Sequence, residues 1–192
     1  MKHTIYFVRH GQTDWNHVGR FQGQMDIPLN DTGRDQARRN GRALKDHLSS
    51  FDLPFLASPM SRTSETMELL RGEMGLPPTD YATDDRLKEI GFGKFEGLTA
   101  AEIDEQHADL ESERRRDKFH FAPPGGESYA MLTERVRGVI ESIDRDIVIV
   151  SHGGVSRAVR GILQNLSGDE VLALPTPQDQ VMKLVDGRVL LV

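Results

Sequence analysis

Two stretches of this chain finish alike. Ile5-Tyr6-Phe7-Val8 runs straight into Arg9-His10-Gly11, and Ile147-Val148-Ile149-Val150 runs into Ser151-His152-Gly153. Each run is apolar at every position, with no alternation of polar and apolar residues, so each reads as a strand covered on both faces. Strands of that kind belong in the middle of a parallel sheet flanked by helices. Ligands in open sheets of this type collect at the carboxyl ends of the strands. If the two strands are neighbours, His10 and His152 meet at one edge although most of the chain separates them. The glycines beside them let backbone approach a ligand closely.

The remaining segments alternate as such a sheet requires. A polar, glycine-rich loop runs to about residue 31, and a helix starts near Thr32 with Ala37, Leu44 and Leu48 toward one side. Asp52 to Ala57 is a second strand, weakened by Pro54. Ser58-Pro59 reads as an N-cap followed by proline in the first turn, opening a helix through Arg71 that Gly72, Gly75, Pro77 and Pro78 end. A short strand is expected near 80–85 and an irregular loop over 88–98. Thr99-Ala100-Ala101-Glu102 has the form of a capping box. The mixed-charge run from Glu111 to Lys118 is expected as a solvated helix end, and Pro123-Pro124-Gly125-Gly126 breaks the chain. Tyr129, Leu132, Val136, Ile140 and Ile143 then recur at helical spacing, as do Val155, Ala158, Val159, Ile162 and Leu166. The end of the chain, from Val181, reads as a hairpin turning at Asp186-Gly187. Strands alternating with helices imply an α/β layered fold with a mostly parallel sheet.

Composition narrows the function. With 192 residues, the chain is expected to form a single domain over 1–192. The formal net charge of −6 disfavours nucleic acid as a partner, although a few convergent arginines can still hold a small anion. The absence of cysteine excludes disulfides, thiolate metal sites and cysteine nucleophiles. Arg9 and His10 cut the first apolar run well short of a signal segment, and no apolar run approaches membrane-spanning length. A cytoplasmic location with no membrane partner is the expectation. Nothing in the sequence indicates the oligomeric state.

Arg62 falls in the first turn of the helix that follows the second strand. Arg9, His10, Arg62 and His152 are thus expected to gather at one sheet edge, beside one or two helix N-termini whose free N–H groups favour anions. That is a pocket for a tetrahedral dianion, since arginine offers forked donors to a phosphoryl group. No HxH, HExxH or CxxC spacing supports a metal at His10 and His152. His3, His17, His47, His107 and His120 are expected to be ordinary surface or loop histidines.

These residues resemble the histidine phosphatase superfamily, also called phosphoglycerate mutase-like. Its RHG motif appears as Arg9-His10-Gly11, within a stretch reaching Asn16. Ser58-Pro59-Met60-Ser61-Arg62 to Thr66, Leu87-Lys88-Glu89 to Thr99, Pro124-Gly125-Gly126-Glu127-Ser128 and Val150-Ser151-His152-Gly153-Gly154 follow in the family order. The resemblance implies a three-layer α/β/α sandwich with a mostly parallel central sheet. It implies His10 as a nucleophile forming a phosphohistidine, with its other ring nitrogen donating to a backbone carbonyl. Arg9, Arg62 and His152 would hold the phosphoryl oxygens, and Glu89 would act as general acid and then general base. Asn16, Gln22, Gly23 and Gly153 are implied on the substrate-binding side. Glu96 reads as a loop anchor and Trp15 as packing.

No metal and no cofactor are called for, because fixed cations supply positioning and charge stabilisation in phosphoryl transfer. The implied activity is hydrolysis of small phosphomonoesters, with a small phosphorylated metabolite as substrate and inorganic phosphate as product. A phosphoglycerate mutase-type phosphotransferase is the nearest alternative. Glu89, however, is followed by Ile90-Gly91-Phe92-Gly93 rather than the Glu-Arg-His-Tyr type sequence of those mutases. A non-catalytic domain that binds phosphorylated ligands is the third possibility. Phe92, Phe95, Phe119 and Phe121 could wall the leaving-group side, and one or two of Arg114, Arg115 and Arg116 could face it.

Overall fold

A computed structural model describes residues 3–192. In chain order it runs β1 (Ile5–Arg9), α1 (Asp14–His17), α2 (Asp31–His47), β2 (Phe55–Ala57), α3 (Ser61–Met74) and β3 (Ala82–Thr83). After two short 3₁₀ turns come α4 (Ala100–Gln106), α5 (Ala108–Arg116), α6 (Tyr129–Glu141) and β4 (Ile147–Ser151). The chain finishes with α7 (Gly153–Gln164), α8 (Gly168–Ala173), β5 (Val181–Val185) and β6 (Arg188–Leu191).

The two strands with the shared ending are neighbours. β1 pairs with β4 in parallel, Ile5 opposite Ile147 through Arg9 opposite Ser151, so His10 and His152 leave the sheet side by side. The six strands lie in the order β3-β2-β4-β1-β5-β6, parallel from β3 to β1 and antiparallel thereafter. Alternate residues of β1 and β4 feed two cores. Ile5, Phe7, Ile147 and Ile149 pack under α6 and α7 with Leu132, Val136, Val155 and Val159. Tyr6, Val8, Val148 and Val150 pack under α2 and α3 with Leu44, Met67 and Leu70. Helices therefore cover both faces, which is why these strands are apolar throughout. The β5–β6 hairpin turns at Asp186 and Gly187, with φ of 49° and 71°, as a two-residue turn that matches the twist of the strands requires.

Several boundaries differ from expectation. α2 begins at Asp31 rather than Thr32, because the Asn30 side chain caps it by accepting from the Gly33 N–H at 2.9 Å. Within the loop that follows β1, Thr13 and Asn16 form a reciprocal capping box and wind the short α1. Ser58 does not cap α3. That helix starts at Ser61 after Met60, and Ser58, just past the end of β2, donates its N–H to the Val150 carbonyl at 3.1 Å. Gly72 lies inside α3, and the left-handed Gly75 ends it. The charged run after residue 110 is not uniformly solvated: Glu111 is 5% exposed and holds Arg114 and Arg115. α8, capped by Ser167, is an additional helix. No helix among the described residues is long and apolar enough to cross a membrane.

Candidate active site

The His10 N–H donates to the Ser151 carbonyl at 2.9 Å, carrying the β1–β4 ladder one step beyond the strands. Gly11 then turns the backbone against the first turn of α2. A Cβ at Gly11 would lie 2.2 Å from the Gly33 carbonyl oxygen, so only glycine fits this crossing. The turn brings the Gly11 carbonyl within 2.7 Å of His10 Nδ1. A carbonyl can only accept, so the neutral ring carries its proton on Nδ1 and presents a bare lone pair on Nε2.

His152 caps the start of α7 from the adjacent strand, and its ring meets that of His10 edge to face, 5.2 Å between centroids. Ser58 Oγ stands 2.9 Å from His152 Nε2, so the residue expected as a helix cap instead orients the second histidine. Arg62 is fully buried in the first turn of α3. Its Nη1 donates to the Met25 carbonyl and its Nη2 to the Gly23 carbonyl, each at 2.8 Å. Arg9 Nη1 donates to the Thr176 carbonyl at 2.6 Å and to Thr176 Oγ1 at 3.2 Å.

Among the described residues, four buried side-chain nitrogens have no partner, and three of them surround His10: Arg9 Nε, Arg62 Nε and His152 Nδ1. A buried polar nitrogen left unpaired costs about 1–3 kcal/mol; the two guanidinium nitrogens are donors, and His152 Nδ1 is a third in the tautomer whose Nε2 accepts from Ser58, a set suited to an oxyanion. Arg9, His10, Arg62 and Glu89 wall one cleft of about 240 Å³ that also includes Asn16, Gln22, Gly23 and Gly153. Every candidate site residue except His152, whose ring meets that of His10 edge to face, therefore borders the same space. Asn16 Oδ1 accepts from Gln178 Nε2, and Gln22 Oε1 accepts from Thr13 Oγ1. Gly23, at φ 51°, contributes its carbonyl to Arg62 and has no room for a side chain, because a Cβ would meet the Glu96 carboxylate at 2.1 Å. That carboxylate anchors the loop by accepting from the Gln24 and Phe92 N–H groups.

The helix ends at this edge differ from expectation. The Gly154 N–H in the first turn of α7 donates to Glu89 Oε1 at 3.0 Å, and the Ser61 N–H of α3 donates to Asp26 Oδ1 at 2.9 Å. The protein's own carboxylates occupy these two N–H groups, and the guanidinium and imidazole groups supply the buried side-chain nitrogens left without a partner. Glu89 is also the strongest opposing charge acting on both Arg9 and Arg62.

Sequence reasoning passed over the segment that braces the site. Thr176 holds Arg9, and Gln178 Nε2 donates to the His10 carbonyl at 3.1 Å. Pro175-Thr176-Pro177 carries only a loop signal, and nothing local distinguishes it from any other connection. Tyr129 and Arg157, likewise unremarked as site residues, line the cleft and share a hydrogen bond of 3.1 Å.

Burial above all, then the positive charges of Arg62 and Arg9, push the His10 pKa well below the ordinary imidazole range; the Gly11 carbonyl opposes this. Burial, Arg62, His10 and Arg9 do the same to His152. Both rings stay neutral in the ligand-free fold under conditions where the unfolded chain would protonate them. Above about pH 6.5 neither state binds protons at these positions, so they add no pH dependence. Below that value the unfolded chain takes up protons that the folded one refuses, and stability falls by as much as about 1.4 kcal/mol per pH unit for each histidine. Urea unfolding of the ligand-free protein between pH 7 and pH 5 is expected to show this slope, and His10→Asn to roughly halve it. A flat profile would contradict the neutral pair.

Comparison with known proteins gives the family. The family model described as histidine phosphatase superfamily (branch 1) matches residues 5–185. A 2,3-bisphosphoglycerate-dependent phosphoglycerate mutase of Parvibaculum lavamentivorans is 31% identical, over 91% of this chain and 86% of its own. An uncharacterised phosphatase of Bacillus subtilis is 32% identical, over 95% and 84%. Among solved structures, a mycobacterial glucosyl-3-phosphoglycerate phosphatase complexed with VO3 superposes with a TM-score of 0.82 at 29% identity, covering 98% of this chain and 97% of that one. The fold, the matched span and the twin His-Gly strand ends lead to one assignment: the chain belongs to branch 1 of the histidine phosphatase superfamily.

Proposed function

We propose that the protein hydrolyses small phosphomonoesters without a metal, through a phosphohistidine on His10. The observation that carries this reading is the His10 ring itself. Its Nδ1–H is tied to the Gly11 carbonyl, its Nε2 lone pair is free, and three unpaired buried donors surround it. In the first step Nε2 attacks phosphorus in line. The bond between phosphorus and the ester oxygen breaks, and Glu89 delivers a proton to the departing alkoxide. Arg9, Arg62 and the Nδ1–H of His152 hold the equatorial oxygens and lower the barrier electrostatically. Water then attacks phosphorus and gives its proton to the Glu89 carboxylate. The phosphorus–nitrogen bond breaks, releasing inorganic phosphate and the neutral imidazole.

Ser58 supports the second histidine's role. If its hydroxyl donates to Nε2, the proton of neutral His152 sits on Nδ1, the nitrogen that lacks a protein partner. Asn16 and Gln22 supply polar groups on the cleft wall, and Gly23 and Gly153 keep that wall low. A Cβ at Gly153 would come within 3.3 Å of Arg9 Nε.

Acid-quench trapping with a radiolabelled monoester tests the scheme: the label is expected on His10, lost in acid and retained in base. Glu89→Gln tests the proton donor. Turnover of alkyl phosphates is expected to fall about 10³-fold, and that of p-nitrophenyl phosphate, whose leaving group needs little protonation, far less. Equal losses on both esters would remove Glu89 from that role. The relatives named as mutases support a second reading, return of the phosphoryl group to a substrate. Phosphoglycerate interconversion outpacing phosphate release would favour it. The residues after Glu89 favour hydrolysis.

A further inference from the structure

A second hollow of about 180 Å³ continues outward from the phosphoryl cleft, and the two share Phe21, Ile90, Phe92, Tyr129 and Arg157. His10 and Arg62 border only the inner space, whereas Phe95, Phe121, Arg114 and Lys118 border only the outer one. A molecule with its phosphoryl group on His10 therefore extends its alcohol portion across Phe21 and Phe92, whose rings meet edge to face at 4.8 Å, toward Lys118. Phe119, expected on this wall, instead packs against Gly168 at the start of α8.

The charges here do not balance. Glu127 is the acidic residue on the wall, and Arg135 takes both its oxygens at 2.9 and 2.8 Å. Arg114 is matched by Glu111, at 2.6 Å. Arg157 makes bonds only to neutral oxygens, the Leu174 carbonyl and the Tyr129 hydroxyl, and Lys118 has neither a hydrogen bond nor an ion pair among the described residues. Among the described residues neither cation has a carboxylate partner; Arg157 stands where the two hollows meet and Lys118 borders the outer one alone, and together they make a seat for an anion. Burial, then the charges of Arg114 and Arg157, hold the Lys118 ammonium below its ordinary range, and the Glu111 carboxylate acts the other way.

Building on the phosphomonoester reading, we propose that the outer hollow is a leaving-group subsite for a ring that carries a carboxylate on the side away from the ester oxygen. The ring lies against Phe21 and Phe92, and Lys118 and Arg157 bind the carboxylate. The hollow is smaller than the pockets that enclose drug-sized ligands, which sets the body at about one ring. An apolar wall alone would accept any hydrophobic ester. The unpaired cations make the subsite selective for the acid.

Affinity for two phosphonates, which bind without turnover, tests this. Calorimetry with 4-carboxybenzylphosphonate and its neutral 4-carbamoyl counterpart is expected to show about tenfold tighter binding of the acid, a preference that shrinks in high salt. Lys118→Ala is expected to bring the ratio near one, and Lys118→Glu to invert it. Equal affinities in the unaltered protein, or a preference unchanged by both substitutions, overturn the subsite. Phosphate release from a chromogenic ester is measured separately. If the preference holds and no phosphate is released, the hydrolysis reading falls and the subsite stands.

Discussion

Replacing His10 by alanine is expected to reduce phosphate release by about 10⁵-fold and to abolish the phosphoenzyme. Losses of this order follow when the nucleophile of a covalent mechanism is removed, because the remaining binding groups recover only a small part of the acceleration. The ring is 2% exposed and its tautomer is set by the Gly11 carbonyl, so no neighbouring side chain can substitute for it. Asn16 and Gln22 are amides, and His152 Nε2 is engaged with Ser58. The cleft itself survives the change, and the loss should therefore lie in kcat rather than in binding. Vanadate affinity within a few-fold of the unaltered protein would confirm that the seat is intact. Retention of even one per cent of the activity would mean that His10 is not the group attacked.

Arg62→Met is expected to lower kcat/KM by about 10³-fold, the size seen when a fixed cation or donor facing the developing charge is removed. Its effect on folding should be modest. The substitution strands the Gly23 and Met25 carbonyls but also removes the desolvation cost of a fully buried charge, and these terms oppose each other. A second readout separates a lost ligand contact from general damage. Arg62 is the largest of the charges that depress the His10 pKa, while burial is the greater cause. In the variant, the His10 imidazole followed by NMR should titrate higher than before yet still below an exposed histidine. Activity should then fall at acidic pH through a limb absent from the unaltered protein, as nucleophile is lost to protonation. An unchanged His10 titration would show that the guanidinium does not act on that ring.

Much of the fold is legible along the chain because the signals are local. Four apolar residues without alternation, at 5–8 and 147–150, specify strands buried on both faces, and Asp186-Gly187 specifies a turn through backbone angles that few residues adopt. The convergence of His10 and His152 is also readable, because parallel strands that end alike deliver their next residues to one edge. Partners of polar atoms are not readable in this way. Ser58-Pro59 is a sound helix-cap pattern, yet Ser58 sits just past the end of β2, three residues before the helix, and its hydroxyl goes to His152. The helix ends at Ser61 and Gly154 suit an anion, and the protein fills both with Asp26 and Glu89.

Residue types and their local order thus determine which chemical groups this chain brings to a sheet edge, since strand burial and turn geometry depend on a few adjacent side chains. The tertiary structure decides which of those groups stay free to act. Arg9 is braced by Thr176, 167 residues away, and Glu127 on the cleft wall is claimed by Arg135 while Arg157 bonds only to neutral oxygens. Hydrogen bonds and ion pairs act over about 3 Å, and only the folded path of the chain sets which groups come that close.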